Sequence, residues 1–288
     1  MKHFNIILFI AFNFGEVACR SNCSFKKKLD CNPILSNVNT INRSNPLQVD
    51  QPQQRNAVIQ RIRAGNQFRQ LSTTSAVKYG MLLALNSGMV NGICLSGLLS
   101  FDGTKQASAA VTGAWTNSAL GVATGNSDQF LFNTKCILSY FFGSFISGVI
   151  NPNPKPFQVS VPSFRTAFLL GSILLYSSSV LSDHSNRTYI FLAAIANGIQ
   201  NSLTSTTTGN LVRSSHFSGC TSDMGTFMGQ VFRGNMENLM KLKVFFSLAM
   251  SFWVGGLISY NLVKNFGKQT LLFNAFLYLV LAVGVGYL

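Results

Sequence analysis

Charged side chains that could bind a solute occur within the most apolar part of this chain. Arg213 and Asp223 lie ten residues apart in a segment with apolar flanks. Because an acid at membrane depth is costly unless it has a partner or a purpose, Asp223 is a candidate for ion coupling or for contact with a cationic substrate group. Arg213 could pair with Asp223 or bind an anionic ligand. The structural alternatives are an aspartate that caps a helix and an arginine that reaches the lipid headgroups.

Amide side chains inside apolar segments form a second set of candidates. They are Asn91, Gln200 and Asn201. Gln200 and Asn201 are adjacent, so on a helix they point about 100° apart. Two functions stay open for all three: a polar lining for a solute path, or interhelical hydrogen bonds worth roughly 0.6–2 kcal/mol each that hold a bundle together.

A motif rich in Gly, Ser and Thr occurs twice, and each copy follows a Gly-x-x-Asn sequence. Residues 88–91 precede the first copy at 111–116, and residues 198–201 precede the second copy at 217–225. Small residues of this kind either allow close helix packing or unwind a helix so that its carbonyls face a substrate. The candidate binding residues in the two copies are Thr112, Gly113, Ser218 and Gly219.

The composition is typical of a membrane protein. Of the 288 residues, 47% are hydrophobic and 10% are charged, whereas soluble domains carry about 25% charged residues. The net charge of +14 would also suit nucleic-acid binding, but no basic stripe with interleaved aromatic residues is present on a polar background. The cysteines and histidines show no spacing typical of a metal site.

Six apolar segments are long enough to cross a bilayer, because about 30 Å of hydrocarbon needs about 20 residues. They are residues 79–99, 130–150, 164–181, 189–208, 244–263 and 271–288. The motif segments 107–123 and 217–232 are only moderately apolar, and they either cross the membrane or form broken helices beside a cavity. We therefore expect an all-α, polytopic membrane helix bundle with two similar halves of three to four spans each. With three spans in each half, the two halves would be inverted relative to each other in the membrane. With four spans in each half, they would be parallel.

The N-terminal region resembles a targeting sequence. Residues 1–20 have the basic start and short apolar run of a secretory signal, and residues 21–75 form a basic, transit-like region that we expect to be disordered. This layout would deliver the chain through the secretory route to a plastid membrane; a simple secretory signal and a cytosolic tail are the alternatives. The membrane domain then divides into a first half-repeat at 76–182 and a second at 183–288.

The second half resembles a known family at several motifs. Residues 198–201, 213–219 and 223–225 are similar to the second-half signature of the YoaK-like multi-pass membrane protein family (domain-of-unknown-function family 1275). That signature is close to Gly-x-Gln-Asn, Arg-Thr-Thr-Tyr-Val-Thr-Gly and Thr-Asp-Leu-Gly. The first-half box of the family, Met-Thr-Gly-Asn-Thr, is matched only in part by residues 111–116.

The resemblance covers about residues 76–288 and includes two departures. Ala114 stands where the family has Asn, and Ser218 stands where it has Thr. The first box therefore lacks the amide that a ligand contact there would use. The resemblance implies a multi-pass membrane protein and implies no particular activity.

These patterns predict a small-solute transporter that rocks one half against the other around a midplane site between the two motif helices. The alternative is a non-transporting membrane scaffold or assembly protein. No reactive pair of side chains and no nucleotide-binding loop is present, so we expect no enzyme activity, no catalytic residue, no cofactor and no metal. Expected partners are membrane lipids and a small-molecule or ion substrate. A homo-oligomer stays open, and nucleic acid is not expected.

Overall fold

The apolar segments fold into helices joined by short connections. The computed structural model describes residues 68–100, 102–182 and 187–285. In chain order the helices are α1 (Thr73–Ser96), α2 (Thr112–Ala123), α3 (Ser127–Ile150), α4 (Val161–Leu181), α5 (Thr188–Thr207), α6 (Phe217–Phe232), α7 (Leu239–Phe266) and α8 (Thr270–Gly284). Short 3₁₀ turns at Met236–Asn238 and Gly267–Gln269 lead into α7 and α8. The expected all-α class is confirmed.

Local side chains determine where several helices begin. The Ser72 hydroxyl accepts a hydrogen bond from the Ser75 N–H at 3.0 Å, and the Asn126 side chain accepts one from the Gln129 N–H at 3.0 Å. These caps satisfy backbone donors that the first turns of α1 and α3 leave without partners. Pro162 lies in the first turn of α4, where its missing N–H removes no helical hydrogen bond.

Regular elements are present on the N-terminal side of the boundary that we expected at residue 76. Phe68–Gln70 forms strand β1, and α1 starts at Thr73. Strand β1 pairs with β2 (Gln158–Ser160) in a two-stranded sheet. Residues 68–75, at the end of the predicted transit-like region, thus include a strand and the first turn of a helix. The signal-like segment 1–20 and the transit-like region up to residue 67 lie outside the described residues.

Two helical stretches of the described residues are long and apolar enough to cross a membrane by length and composition. They are Val161–Leu181 and Met236–Gly284, and they contain two of the six predicted spans and most of a third, residues 271–288. The other three predicted spans form most of α1, α3 and α5. Their Asn, Gln, Ser and Thr side chains lower the mean hydropathy, so the residues that suggest a polar site also weaken the apolar signal.

The motif segments form short, continuous helices. Helix α2 has 12 residues and α6 has 16. At 1.5 Å per residue these lengths are about 18 Å and 24 Å, less than the roughly 30 Å of a hydrocarbon core. A full crossing at either motif would therefore need residues beyond the helix itself.

Helices from the two predicted halves pack against each other. Helix α1 packs against α7, and α5 packs against α3, so the first helix of each half lies on the third helix of the other half. Helix α4 packs against α5 and α8. The motif helices lie on these pairs, α2 on α3 and α6 on α7. The described helices thus form two helix groups, α1/α6/α7 and α2/α3/α4/α5/α8, each with members from both halves.

Glycines bring α1 and α7 together at backbone distance. A Cβ atom at Gly88 would lie 2.1 Å from the carbonyl oxygen of Phe252. A Cβ atom at Gly255 would lie 2.1 Å from the carbonyl oxygen of Leu85. Since real Cβ atoms do not approach an oxygen so closely, only glycine fits at either position.

The α3–α5 crossing repeats this arrangement. A Cβ atom at Gly143 would lie 2.1 Å from the carbonyl oxygen of Ile195, and one at Gly198 would lie 2.4 Å from that of Tyr140. The glycine of each Gly-x-x-Asn sequence thus contacts backbone of the third helix of the other half. A glycine at this position allows the two helices to approach closely, as small residues do in membrane helix interfaces.

Candidate functional site

Arg213 and Asp223 meet at the N-terminal part of α6. The Arg213 Nη1 atom lies 3.9 Å from Asp223 Oδ2, and the two side chains are 28% and 41% exposed. A Cβ atom at Gly219 would lie 3.1 Å from Arg213 Nη1 and 3.0 Å from the ring of His216, so the glycine leaves room for both side chains. A pair this exposed contributes about 0–1 kcal/mol to stability. The charges are accessible from outside the bundle, as a site for an ion or a charged solute group would require.

Asn91 and Asn201 hold the backbone that leads into the two motif helices. The Asn91 Oδ1 atom accepts a hydrogen bond from the Ala109 N–H at 3.0 Å, and Asn201 Oδ1 accepts one from the Ser215 N–H at 3.2 Å. In each case the donor lies three residues before the Thr or Ser of the motif, and Asn91 is buried. This geometry favours a structural function for these amides, the second of the alternatives above.

Gln200 joins three helices from the interior. Its Nε2 atom donates to the Leu83 carbonyl of α1 at 2.9 Å, and its Oε1 atom accepts a hydrogen bond from the Tyr278 hydroxyl of α8. Gln200 itself belongs to α5 and is almost fully buried. Both ends of the amide therefore have partners, which satisfies its hydrogen-bonding capacity in a low-dielectric interior.

A second amide contact beside Gln200 was missed by sequence reasoning. The Asn274 Nδ2 atom donates to Asn86 Oδ1 at 2.6 Å, and both residues are fully buried. Two signals could have revealed it. Asn86 lies in the same apolar segment as Asn91, and Asn274 precedes Tyr278 by one helical turn on a helix that is otherwise strongly apolar.

The structure places the motif residues on the outside of the helix groups. Thr112, Gly113 and Ser218 are exposed, and a Cβ atom at Gly113 would meet no atom within 4 Å. Gly219, beside the ion pair, is half-buried. Because α2 packs on α3 and α6 packs on α7, the packing of the described helices does not bring the two copies together. The buried residues of the predicted set are instead Asn91 and Gln200.

A further ion pair, also not anticipated, links the α1–α2 connection to the start of α5. The Arg187 Nε atom donates to Asp102 Oδ2 at 2.8 Å, and the guanidinium lies 5.2 Å from the centre of the Phe132 ring. Hydrogen bonds from Thr104, together with Arg187, lower the pKa of Asp102 from 3.8 to about 2. Both charged side chains are well exposed, so the pair acts as a surface link between two connections.

The arrangement defines a class of protein: helices with an apolar exterior and a buried set of polar residues that, among the described residues, is uncharged. Within the same residues no group of three or more His, Cys, Asp or Glu side chains could hold a metal ion. The chain belongs to the family described as "protein of unknown function (DUF1275)", which it matches over residues 79–284. This match confirms the family resemblance. Comparison with curated proteins and with solved structures gives no match.

Proposed function

We propose that this chain is a multi-pass integral membrane protein that moves a small solute across the membrane. The observation that carries the proposal is the distribution of polarity in the described helices. Large apolar side chains cover the exterior, while fully buried Asn, Gln, Ser and Thr side chains lie inside. Water would favour the reverse distribution, whereas a hydrocarbon surrounding favours this one.

Exposed aromatic residues support a lipid-facing exterior. Phe141 on α3 is 66% exposed, Phe276 on α8 is 63% exposed and Phe232 on α6 is 91% exposed. Large apolar side chains are also exposed on α2, α4 and α7. Soluble monomers rarely expose contiguous apolar patches larger than a few hundred Å². A surface of this kind on several helices is therefore better suited to lipid than to water.

The packing of the helices supports movement between two groups. The α1–α7 and α3–α5 crossings are held at backbone distance by glycines, whereas α1 and α5 make a much smaller contact with each other. The bodies that rock would therefore be α1/α6/α7 and α2/α3/α4/α5/α8 rather than the two sequence halves. Alternating access in internally repeated transporters uses rigid-body motion of this type.

In this mechanism the motif residues would act on the outside of the helix groups. Arg213 and Asp223 form a half-exposed pair on α6, suited to ion coupling or to a charged solute group. Single cysteines at Thr112, Ser218 and Asp223, in an otherwise cysteine-free chain, test whether these positions are hydrated in membranes. Labelling by an impermeant thiol reagent is the expected result. Complete protection from both sides, in a chain that still assembles, would remove the motif helices from the solute path.

The direct test of transport is solute uptake by proteoliposomes that contain the purified full chain. A panel of neutral amides, polyols, amino acids and monovalent ions is offered, with protein-free vesicles as the baseline. Saturable uptake of at least one solute class is expected. Uptake at the baseline rate for the whole panel, by protein that is folded and inserted, would contradict the proposal.

The alternative function is a non-transporting membrane scaffold or assembly protein. It is favoured by the structural use of Asn91 and Asn201, which hold loop backbone in place. It is also favoured by Gly88 and Gly255, which serve helix packing. A scaffold would retain partner proteins during purification in mild detergent and would show no saturable uptake, so the same preparation distinguishes the two functions.

We also propose that the chain enters the membrane through the secretory route and resides in a plastid membrane. The support is the sequence layout of residues 1–20 and 21–75, with its signal-like start and basic, transit-like continuation. Fluorescent fusions of residues 1–20 and of residues 1–75 test this. Secretion of the short fusion together with plastid import of the long one is expected. Cytosolic fluorescence of both would contradict it.

A further inference from the structure

Uncharged polar side chains join α1, α5 and α8 in the interior of the protein. Asn86, Gln200, Asn274 and Tyr278 are each at most 2% exposed. Asn274 Nδ2 donates to Asn86 Oδ1 at 2.6 Å, and the Tyr278 hydroxyl donates to Gln200 Oε1. We refer to these four residues as the amide cluster. It lies where three helices from both halves of the sequence meet.

Two atoms of the amide cluster make no hydrogen bond of normal geometry among the described residues. They are Asn86 Nδ2, a donor that lies beside the Tyr278 hydroxyl, and Asn274 Oδ1, an acceptor. Exchanging the oxygen and nitrogen atoms of both amides leaves the same deficit, because one NH₂ group and one carbonyl oxygen stay unpaired. Thr270 Oγ1, one helical turn before Asn274, also has no partner in this part of the chain. Buried polar groups are normally satisfied, so these atoms call for an explanation.

We propose that Asn86 and Asn274 bind one small uncharged molecule that carries a hydrogen-bond acceptor next to a donor, as a primary amide does. The carbonyl oxygen of such a molecule would accept from Asn86 Nδ2, and its N–H would donate to Asn274 Oδ1. Thr270 supplies a hydroxyl on the same face of α8 for a further contact. This inference rests on the proposed function in naming the class of solute that is moved.

Two features of the amide cluster exclude a charged ligand. All four side chains are neutral, and all are sealed from solvent. A charge transferred to this position would lose its hydration without gaining an opposite charge. A neutral amide loses only hydrogen bonds that the two unpaired atoms restore.

A binding site and a purely structural role for the amide pair differ in what substitution does to ligand binding, and agree in what it does to folding. Leu has nearly the shape of Asn, and replacing both members of a buried polar pair by apolar groups of the same shape is close to neutral. The double variant Asn86→Leu/Asn274→Leu should therefore fold under either hypothesis. Thr207→Val is the matched control, because Thr207 Oγ1 is another buried atom without a partner among the described residues and lies outside the amide cluster.

The first experiment measures equilibrium binding of radiolabelled acetamide to the purified full chain in detergent. Saturable binding of one molecule per chain is expected. N,N-Dimethylacetamide, which keeps the acceptor and lacks the N–H donor, should not compete. The Leu double variant should lose about tenfold or more in affinity, while Thr207→Val should bind as the wild type does. Absence of saturable binding to the wild type, or unchanged binding to the double variant, would overturn the inference.

Uptake by proteoliposomes separates this inference from the proposed function. Acetamide binding without uptake of any solute would leave the site standing and would contradict transport. Uptake of other solutes without acetamide binding would support transport and would contradict the site. If the double variant does not fold, an experimental density map of the wild type with acetamide tests the site instead. A feature between Asn86 Nδ2 and Asn274 Oδ1 supports the site, and direct contact with no such feature overturns it.

Discussion

The Ser87 hydroxyl donates a hydrogen bond to Asn197 Oδ1 at 2.9 Å, and these two residues hold the same place in the two Gly-x-x-Asn sequences. Ser87 comes directly before Gly88, and Asn197 comes directly before Gly198. The bond joins α1 to α5, so it links the two helix groups at a point where their first helices meet. Asn197 Nδ2 also donates to Ser108 at 3.1 Å.

Alanine at the glycines of the two Gly-x-x-Asn sequences should destabilise the protein. In a helix interior Gly→Ala is normally stabilising by roughly 0.5–1 kcal/mol. At Gly88 and Gly198, however, the new Cβ atom would lie 2.1 Å and 2.4 Å from a carbonyl oxygen. We expect a loss of about 1–3 kcal/mol, measured as a lower thermal midpoint in detergent. Gly225→Ala is the control, because open space surrounds that position, and it should leave the midpoint unchanged or raise it.

Removal of the amides that hold the motif connections should cost more than removal of an ordinary amide. Asn91→Ala and Asn201→Ala each leave a backbone N–H, of Ala109 or Ser215, without its acceptor. An unsatisfied buried donor costs roughly 1–3 kcal/mol. The measurement is the thermal midpoint of each variant. Asn117→Ala on α2, a half-buried position, is the control. An equal fall in its thermal midpoint would show that the two hydrogen bonds stabilise the protein no more than an ordinary amide does.

The link between Asp102 and Arg187 should disappear in acid. The pKa of Asp102 is lowered from 3.8 to about 2, so its stabilising contribution is complete above the unfolded-state value. It is lost as the pH falls through about 2. The difference in thermal midpoint between the wild type and Asp102→Asn should therefore be constant near neutral pH, shrink below about pH 4 and vanish near pH 2.

The double variant Asp102→Asn/Arg187→Gln provides the control for that prediction. If the two side chains act only through each other, the double variant should be no less stable than either single variant. A pH-independent difference between wild type and Asp102→Asn would contradict the assignment of the pair.

Neutralising the charges beside α6 should affect coupling more than stability. Arg213 and Asp223 are separated by 3.9 Å and are partly exposed, so Asp223→Asn should change stability by less than about 1 kcal/mol. If the acid couples an ion, the variant should bind solute normally and lose its dependence on the ion gradient. Asp128→Asn, at an acid in the first turn of α3, is the matched control. A large loss of folded protein in Asp223→Asn alone would favour the scaffold function.

The sequence predicts the helices well and the interior poorly. Apolar length located α4, α7 and α8, because that signal is local. Which helices meet depends on contacts far apart in the chain, so the partnership of Asn86 with Asn274 had no local signature. Pairing of Arg213 with Asp223 was one of the alternatives that the sequence left open, and the structure places the two charged groups 3.9 Å apart. The link from Asp102 to Arg187 spans two connections and was missed.

The most direct test of solute movement through the interior is the accessibility of a single cysteine at Asn274. In a cysteine-free background, Asn274→Cys is labelled in native membranes with a small impermeant thiol reagent, with Phe276→Cys on the exposed face of the same helix as the control. Asn274 is 1% exposed and Phe276 is 63% exposed. The account predicts labelling at position 274, because a solute path must open there, and protection at 276, because lipid covers it. Labelling at 276 with lasting protection at 274 would contradict it.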